Sequence, residues 1–284
     1  MNATTVTAGL SRASRPPWRP RLVSAELLKL RKRRGLLTAA LVLTVLPMLV
    51  AYGVLLGMHL SDSARHGPAG GVANLAGSMD VLTMFSIVAA ILVGATLGTG
   101  DLGAGVFREL VMTGRSRLAL FGARIPAGLG LLVAIAGGAF AITATASTVL
   151  AGSERPHTNH GVRVLGNVAP DAGLLLESAG WLALCVGVSF ALALGVSSVF
   201  GSRGTSIGIL LGFWLVAMPL LYAIGALGTL RHGLPLTALE HFKPGAFEAE
   251  TPVPMSAAGA TAVLLAWTVV PLAAGAWRTS TRDA

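Results

Sequence analysis

Three residue patterns are worth testing first for chemistry. His157 and His160 stand three apart, a spacing a metal ion uses, but no cysteine or clear acid cluster accompanies them to complete a site. All six histidines, the others being His59, His66, His232 and His241, fall between long apolar runs, where solvated loop side chains account for them. Gly187-Val188-Ser189-Phe190 superficially resembles the nucleophile motif of an intramembrane serine protease. That chemistry needs a general base beside the serine, and no His, Asp or Lys occurs in the apolar run around it. The lysines are Lys29, Lys32 and Lys243, and none follows a glycine, so the phosphate-binding loop G-x4-G-K-[ST] is missing. ATP hydrolysis by that motif is therefore not expected on this chain, nor is a cofactor or metal.

What the sequence does offer is a docking chemistry. Asp101 to Arg124, DLGAGVFRELVMTGRSRLALFGAR, is a charged passage between two apolar runs. Val106, Phe107, Leu110 and Val111 share one face of a short helix, and Arg108 and Glu109 point away from it. Asp101 lies ahead of that helix, where a carboxylate is favoured, and Thr113-Gly114 ends it. Arg115, Ser116, Arg117 and Arg124 lead back into apolar sequence.

The elements that would position this segment are membrane spans. Of 284 residues, 54% are hydrophobic and 12% charged, and mean hydropathy is +0.73. Soluble domains carry about 25% charged residues. Six apolar runs fall at about 35–57, 81–100, 125–151, 174–200, 206–229 and 257–277. Runs of about 20 residues at 1.5 Å each cover the roughly 30 Å of a bilayer's hydrocarbon. The expected fold is all-α: a polytopic bundle of six transmembrane helices in a single domain, 18–284, after a polar segment, 1–17, that lacks apolar periodicity and is expected to be a disordered cytoplasmic tail. The lone Cys185 lies inside a run and reads as a small packing residue.

Residues 18–34, WRPRLVSAELLKLRKRR, are expected to form an amphipathic helix, with Val23, Leu27 and Leu30 on one face and the pair Glu26 and Lys29 on the other. The basic segment before the first run is too long for a signal peptide, so that run is expected to be retained. Basic residues fix the orientation. With the N-terminus inside, inner segments hold 16: Arg12, Arg15, Arg19, Arg21, Lys29, Arg31, Lys32, Arg33, Arg34, Arg108, Arg115, Arg117, Arg124, Arg203, Arg278 and Arg282. Outer segments hold 5: Arg65, Arg155, Arg163, Arg231 and Lys243. Both termini are therefore expected in the cytoplasm. The net charge of +9 is then explained by membrane orientation rather than nucleic-acid binding, with lipids as expected partners.

Glycines at Gly94 and Gly98, at Gly208 and Gly212, and at Gly187 and Gly195 with Ala191 form stripes that let helices approach closely. Between the last two runs, Leu236 to Phe242 is expected either as a short helix dipping into the outer leaflet or as a surface loop, with Pro235 before it and Pro244 after it.

The charged passage and the N-terminal helix together resemble ABC-2-type transporter permeases. In that family the second and third spans are joined by an acid-x3-G-T, an apolar stretch with charges, T-P-x-S-R, and a further basic residue. This chain has Asp101, Gly105, Phe107, Arg108, Glu109, Leu110, Thr113, Arg115, Ser116, Arg117 and Arg124, with Val106 in place of the threonine and Gly114 in place of the proline. Glu26-Leu27-Leu28-Lys29 is similar to the family's E-x-x-K in an "elbow" helix before the first span. The resemblance implies that Asp101–Arg117 is a cytoplasmic coupling helix contacting a separate ATPase, which holds ATP and magnesium. It also implies that two six-span subunits pair in a bacterial plasma membrane, and that the complex exports a substrate the sequence does not name. The alternatives are a non-transporting membrane scaffold and an ion-coupled carrier, the latter disfavoured because no acid or base lies in a span interior, Glu177 being near the outer end of the fourth.

Overall fold

The computed structural model describes residues 20–103, 116–153, 157–159, 162–247 and 253–281. Helix α1 spans Pro20–Lys32, and α2 follows at Arg34–Ser61 after a non-helical Arg33. Then come α3 (Val72–Gly103) and α4 (Arg117–Val149), and, after two strands, α5 (Ala172–Phe200). Helix α6 (Arg203–Gly212), a π-helical turn (Phe213–Ala217) and α7 (Met218–Ala223) stack into one span. A 3-10 segment (Gly225–Gly233), α8 (Pro235–His241), a 3-10 turn (Gly245–Phe247) and α9 (Ala257–Thr281) complete the described order. Six of these helical stretches are long and apolar enough to cross a membrane. The fold is thus the expected all-α bundle. Its one small addition is an antiparallel ribbon, β1 (His157–Asn159) with β2 (Val162–Val164), in the connection between α4 and α5.

The helices outrun the apolar stretches that announce them. Span 2 begins at Val72 rather than 81, because Asn74 bonds the carbonyls of Pro68 and Gly70 and holds the start. Span 3 begins at Arg117, where the Ser116 hydroxyl accepts from the Ala119 amide, and ends at Val149. Asp171 and Ser202 cap α5 and α6 in the same way, each side chain accepting from the amide three residues on. Span 5 stops early, at Ala223 rather than 229. Beyond it the chain turns through Gly228, whose φ of 50° an L side chain rarely adopts.

Within span 5, Pro219 has no amide hydrogen to offer the carbonyl four residues back. The ladder opens just before it, and the Met218 amide bonds the carbonyl of Phe213 instead. This is a π-bulge of the kind that recurs at functional sites.

Helices α3 and α5 form the centre and run in the same direction. Gly94 and Gly98 lie against Phe190, Ala193, Leu194 and Ser197, with no room for a side chain between the backbones. Gly195 is pressed against Pro271 and Leu272 of α9. The other stripe members, Gly187, Gly208 and Gly212, face open space among the described residues. Helix α2 buries Leu36, Ala40, Thr44, Met48 and Tyr52, one residue per turn, and leaves Leu41, Val42, Leu46, Leu49, Val50 and Val54 about half exposed. A belt of that kind would be costly in water and is at home in lipid.

The elbow helix forms with its face shifted by one residue. Leu22, Glu26 and Leu30 are buried, with Val23 and Leu27 only flanking them. Leu22 packs on Leu120 and Ala123 of α4. Glu26 was expected on the polar side. It is 5% exposed, and Lys29 neutralises it at 2.7 Å.

Cysteine labelling checks this arrangement. Ser63, in the connection after α2, and Thr281, the last residue of α9, are both exposed and assigned to opposite sides, while the native Cys185 is buried and silent. Ser63→Cys is expected to react with an impermeant maleimide in intact cells, and Thr281→Cys only after permeabilisation. Labelling of both from outside would break the six-span count.

Candidate functional site

One end of the bundle gathers the elements that frame the proposed coupling segment. The guanidinium of Arg117, at the start of α4, donates to the Ser280 carbonyl near the end of α9, at 3.2 Å. That carbonyl belongs to the last turn of a helix, where cations are favoured. Helix α1 packs on the first turns of α4 through Leu22, Leu120 and Ala123. The guanidinium of Arg33 closes over Gly100 in the last turn of α3. The two ends of the 104–115 connection, the elbow helix and the end of α9 therefore share one side.

Of the expected contact residues, Ser116 and Arg117 are placed here and are engaged within the chain. Gly105, Phe107, Arg108, Glu109, Leu110, Thr113 and Arg115 lie outside the described residues. Asp101 is expected ahead of the coupling helix, which lies outside the described residues; Asp101 itself stands in the last turn of α3, which continues to Gly103. Arg124, expected in the inner segment, is inside α4 and 2% exposed.

The other end holds a second constellation that sequence spacing did not reveal. Helix α8 is seated in the bundle rather than lying on it: Thr237, Ala238 and Leu239 are buried. Two indoles peg this region. Trp181 of α5 donates to the Leu239 carbonyl at 3.1 Å, and Trp267 of α9 to the Gly233 carbonyl at 2.9 Å. The short-helix expectation for Leu236–Phe242 holds, with Pro235 as the first residue of the helix instead of preceding it.

Beside α8 lies a cavity of about 170 Å³ lined from four elements. Asp80, Thr83, Met84 and Ile87 come from α3; Trp181 and Cys185 from α5; Trp214, Leu215 and Pro219 from the bulged span 5; and Leu236, Leu239 and Glu240 from α8. Lys243 bridges the carboxylates, 2.7 Å from Asp80 and 3.9 Å from Glu240, with its ammonium 5.3 Å from the centre of the Trp181 ring. Beyond Trp181 a shallower cleft of about 420 Å³ is lined in part by Glu177, His241 and Lys243.

Burial pushes the Glu240 carboxyl above its ordinary value; Lys243 opposes the shift and Asp80 adds to it. Thr83 and Trp214 line the cavity with other atoms; their Oγ1 and Nε1 are fully enclosed and have no hydrogen-bond partner. Each such group costs roughly 1–3 kcal/mol. The π-bulge is what carries Trp214 here. The sequence signals were present, a proline in span 5 and an acid near the start of span 2, but nothing in their spacing joined them.

A pH-dependent prediction follows. A carboxyl whose folded pKa is raised stabilises the fold at low pH, and that contribution is lost as pH rises through the folded value. Glu240→Gln keeps the shape without the buried charge, and Lys243 keeps Asp80. The variant is expected to melt higher than the unsubstituted protein at pH 8 and to converge with it near pH 4. A lower melting temperature at pH 8 would contradict this.

For metals, no group of three His, Cys, Asp or Glu side chains is assembled among the described residues, and His160 lies outside them. No protein-family model matches the chain, and no curated protein matches it.

Proposed function

We propose that this chain is the membrane-spanning permease subunit of an ABC-2-type exporter, coupled to a separate cytoplasmic ATPase that carries ATP and magnesium. The observation that carries the reading is the shared side described above. The described ends that residues 104–115 join, the end of α3 and the start of α4, lie with an elbow helix packed on α4 and with the last turn of α9, which Arg117 grips. A push on that connection reaches α3 and α4 directly. Through the glycine contacts of α3 with α5, and of α5 with α9, it reaches most of the bundle. In this reading two copies pair, both termini are cytoplasmic, and the membrane is the bacterial plasma membrane.

The test is enzymatic. The purified chain alone is expected to hydrolyse no ATP, whereas complexes isolated from native membranes with the chain should hydrolyse it through a distinct, co-purifying polypeptide. ATP turnover by the chain alone would overturn the reading, and so would native complexes without an ATPase.

A further inference from the structure

We propose that the cavity beside α8 is a binding site for a lipophilic amine, one protonated nitrogen on an apolar body about the size of a single ring, entering from the bilayer. The inference stands apart from the question of what drives the bundle. Size comes first: an engineered cavity of about 150 Å³ takes up benzene, and this one has about 170 Å³. Access comes next. Met84 and Leu215 belong to the wall yet are each 44% exposed on the apolar surface, so the mouth lies between α3 and span 5. A ligand dissolved in the membrane reaches it sideways.

Charge decides the class. Among the described residues one cation, Lys243, faces two carboxylates, and it sits close to Asp80 and farther from Glu240. Glu240 is thus the underused acceptor, on the cavity wall, in a setting where burial penalises its bare charge. A ligand ammonium would supply the missing counter-ion, with the Trp181 and Trp214 rings available to a cation. An apolar ligand would leave Glu240 unmet, and an anionic one would face two carboxylates.

The experiment uses the full chain in nanodiscs and a matched pair of probes, 2-amino-1-phenylethanol and 1-phenyl-1,2-ethanediol, which differ in having an amine or a hydroxyl at one position. Binding is followed by the fluorescence of the wall tryptophans. The amine is expected to bind saturably and at least tenfold more tightly than the diol. Glu240→Gln should erase that preference, with circular dichroism and the melting temperature of the variant reporting that the fold is intact. Met84→Trp, at the mouth, should weaken both probes alike. Equal binding of the two probes, an amine preference that survives Glu240→Gln, or no saturable binding of either would overturn the proposal.

Discussion

Gly195→Ala is expected to destabilise the bundle severely, and Gly187→Ala, two turns earlier on the same helix, to be neutral or mildly stabilising. In a helix interior the exchange itself is favourable by up to about 1 kcal/mol, because alanine restricts the unfolded chain and glycine does not. At Gly187 nothing stands within reach of the new methyl group. At Gly195 it would be driven into the carbonyl of Pro271 and the amide of Leu272. These are backbone atoms of a helix and cannot rotate away. Gly275 approaches Gly195 from the same side, so α9 can only retreat as a whole. Overpacking of a core typically costs about 1–3 kcal/mol, and a backbone obstacle belongs at the top of that range or above. Thermal melting of the two purified variants reads the difference directly. Similar melting temperatures for both would mean that α5 and α9 are not in the described contact.

If the proposed reading holds, Phe107→Ala is expected to uncouple the chain from the proposed ATPase partner while insertion and protein level stay normal. Interface energy concentrates in a few anchors, with aromatics prominent, and truncating one can cost about 2 kcal/mol, roughly 30-fold in affinity. On the proposed coupling segment Phe107 and Leu110 are the apolar anchors, and Arg108 and Glu109 set the register. Arg108→Ala should cost about 1 kcal/mol or less, and its effect should shrink as salt is raised, because salt screens the contact that the variant lacks. The readouts are the amount of ATPase retained on the affinity-purified chain and transport in reconstituted vesicles. If Phe107→Ala and Glu109→Arg both leave these intact, the segment is an ordinary inner connection.

The membrane spans were legible in the sequence because a bilayer imposes a simple demand: about twenty apolar residues with every backbone group bonded within the helix. Composition alone finds such runs. Helix ends were not legible, since at the interface polar residues such as Asn74 and Asp80 extend a helix at little cost. The Gly94 and Gly98 stripe of α3 is a close-approach site, as its spacing predicts. Gly208 and Gly212 carry the same spacing and touch nothing among the described residues, so spacing shows that a contact is allowed and not that it is made. The elbow face was misjudged by one residue because Glu26 looked polar; paired with Lys29 it buries as readily as its leucine neighbours.

The cavity was hidden for a different reason. Asp80, Trp181, Trp214 and Glu240 come from four elements far apart in the chain, and Trp214 reaches the wall through a π-bulge that a 3.6-residue period does not anticipate. The resemblance to ABC-2 permeases rests on the residues around 101–117 and 26–29, and its functional content stands as a proposal.

Site-directed crosslinking tests the central claim most directly. The chain carries one native cysteine, Cys185, which is buried, so Glu109→Cys introduces a single reactive position. Expressed at native level and treated in membranes with a short thiol-to-amine crosslinker, it is expected to form one dominant adduct. Its partner, identified by mass spectrometry, should be a polypeptide containing the phosphate loop G-x4-G-K-[ST], and the yield should change when ATP is added. The same reagent on Ser63→Cys should give no such adduct. If Glu109→Cys yields no ATPase adduct, or the identical one appears from Ser63→Cys, the chain is not the permease of an ATP-driven exporter.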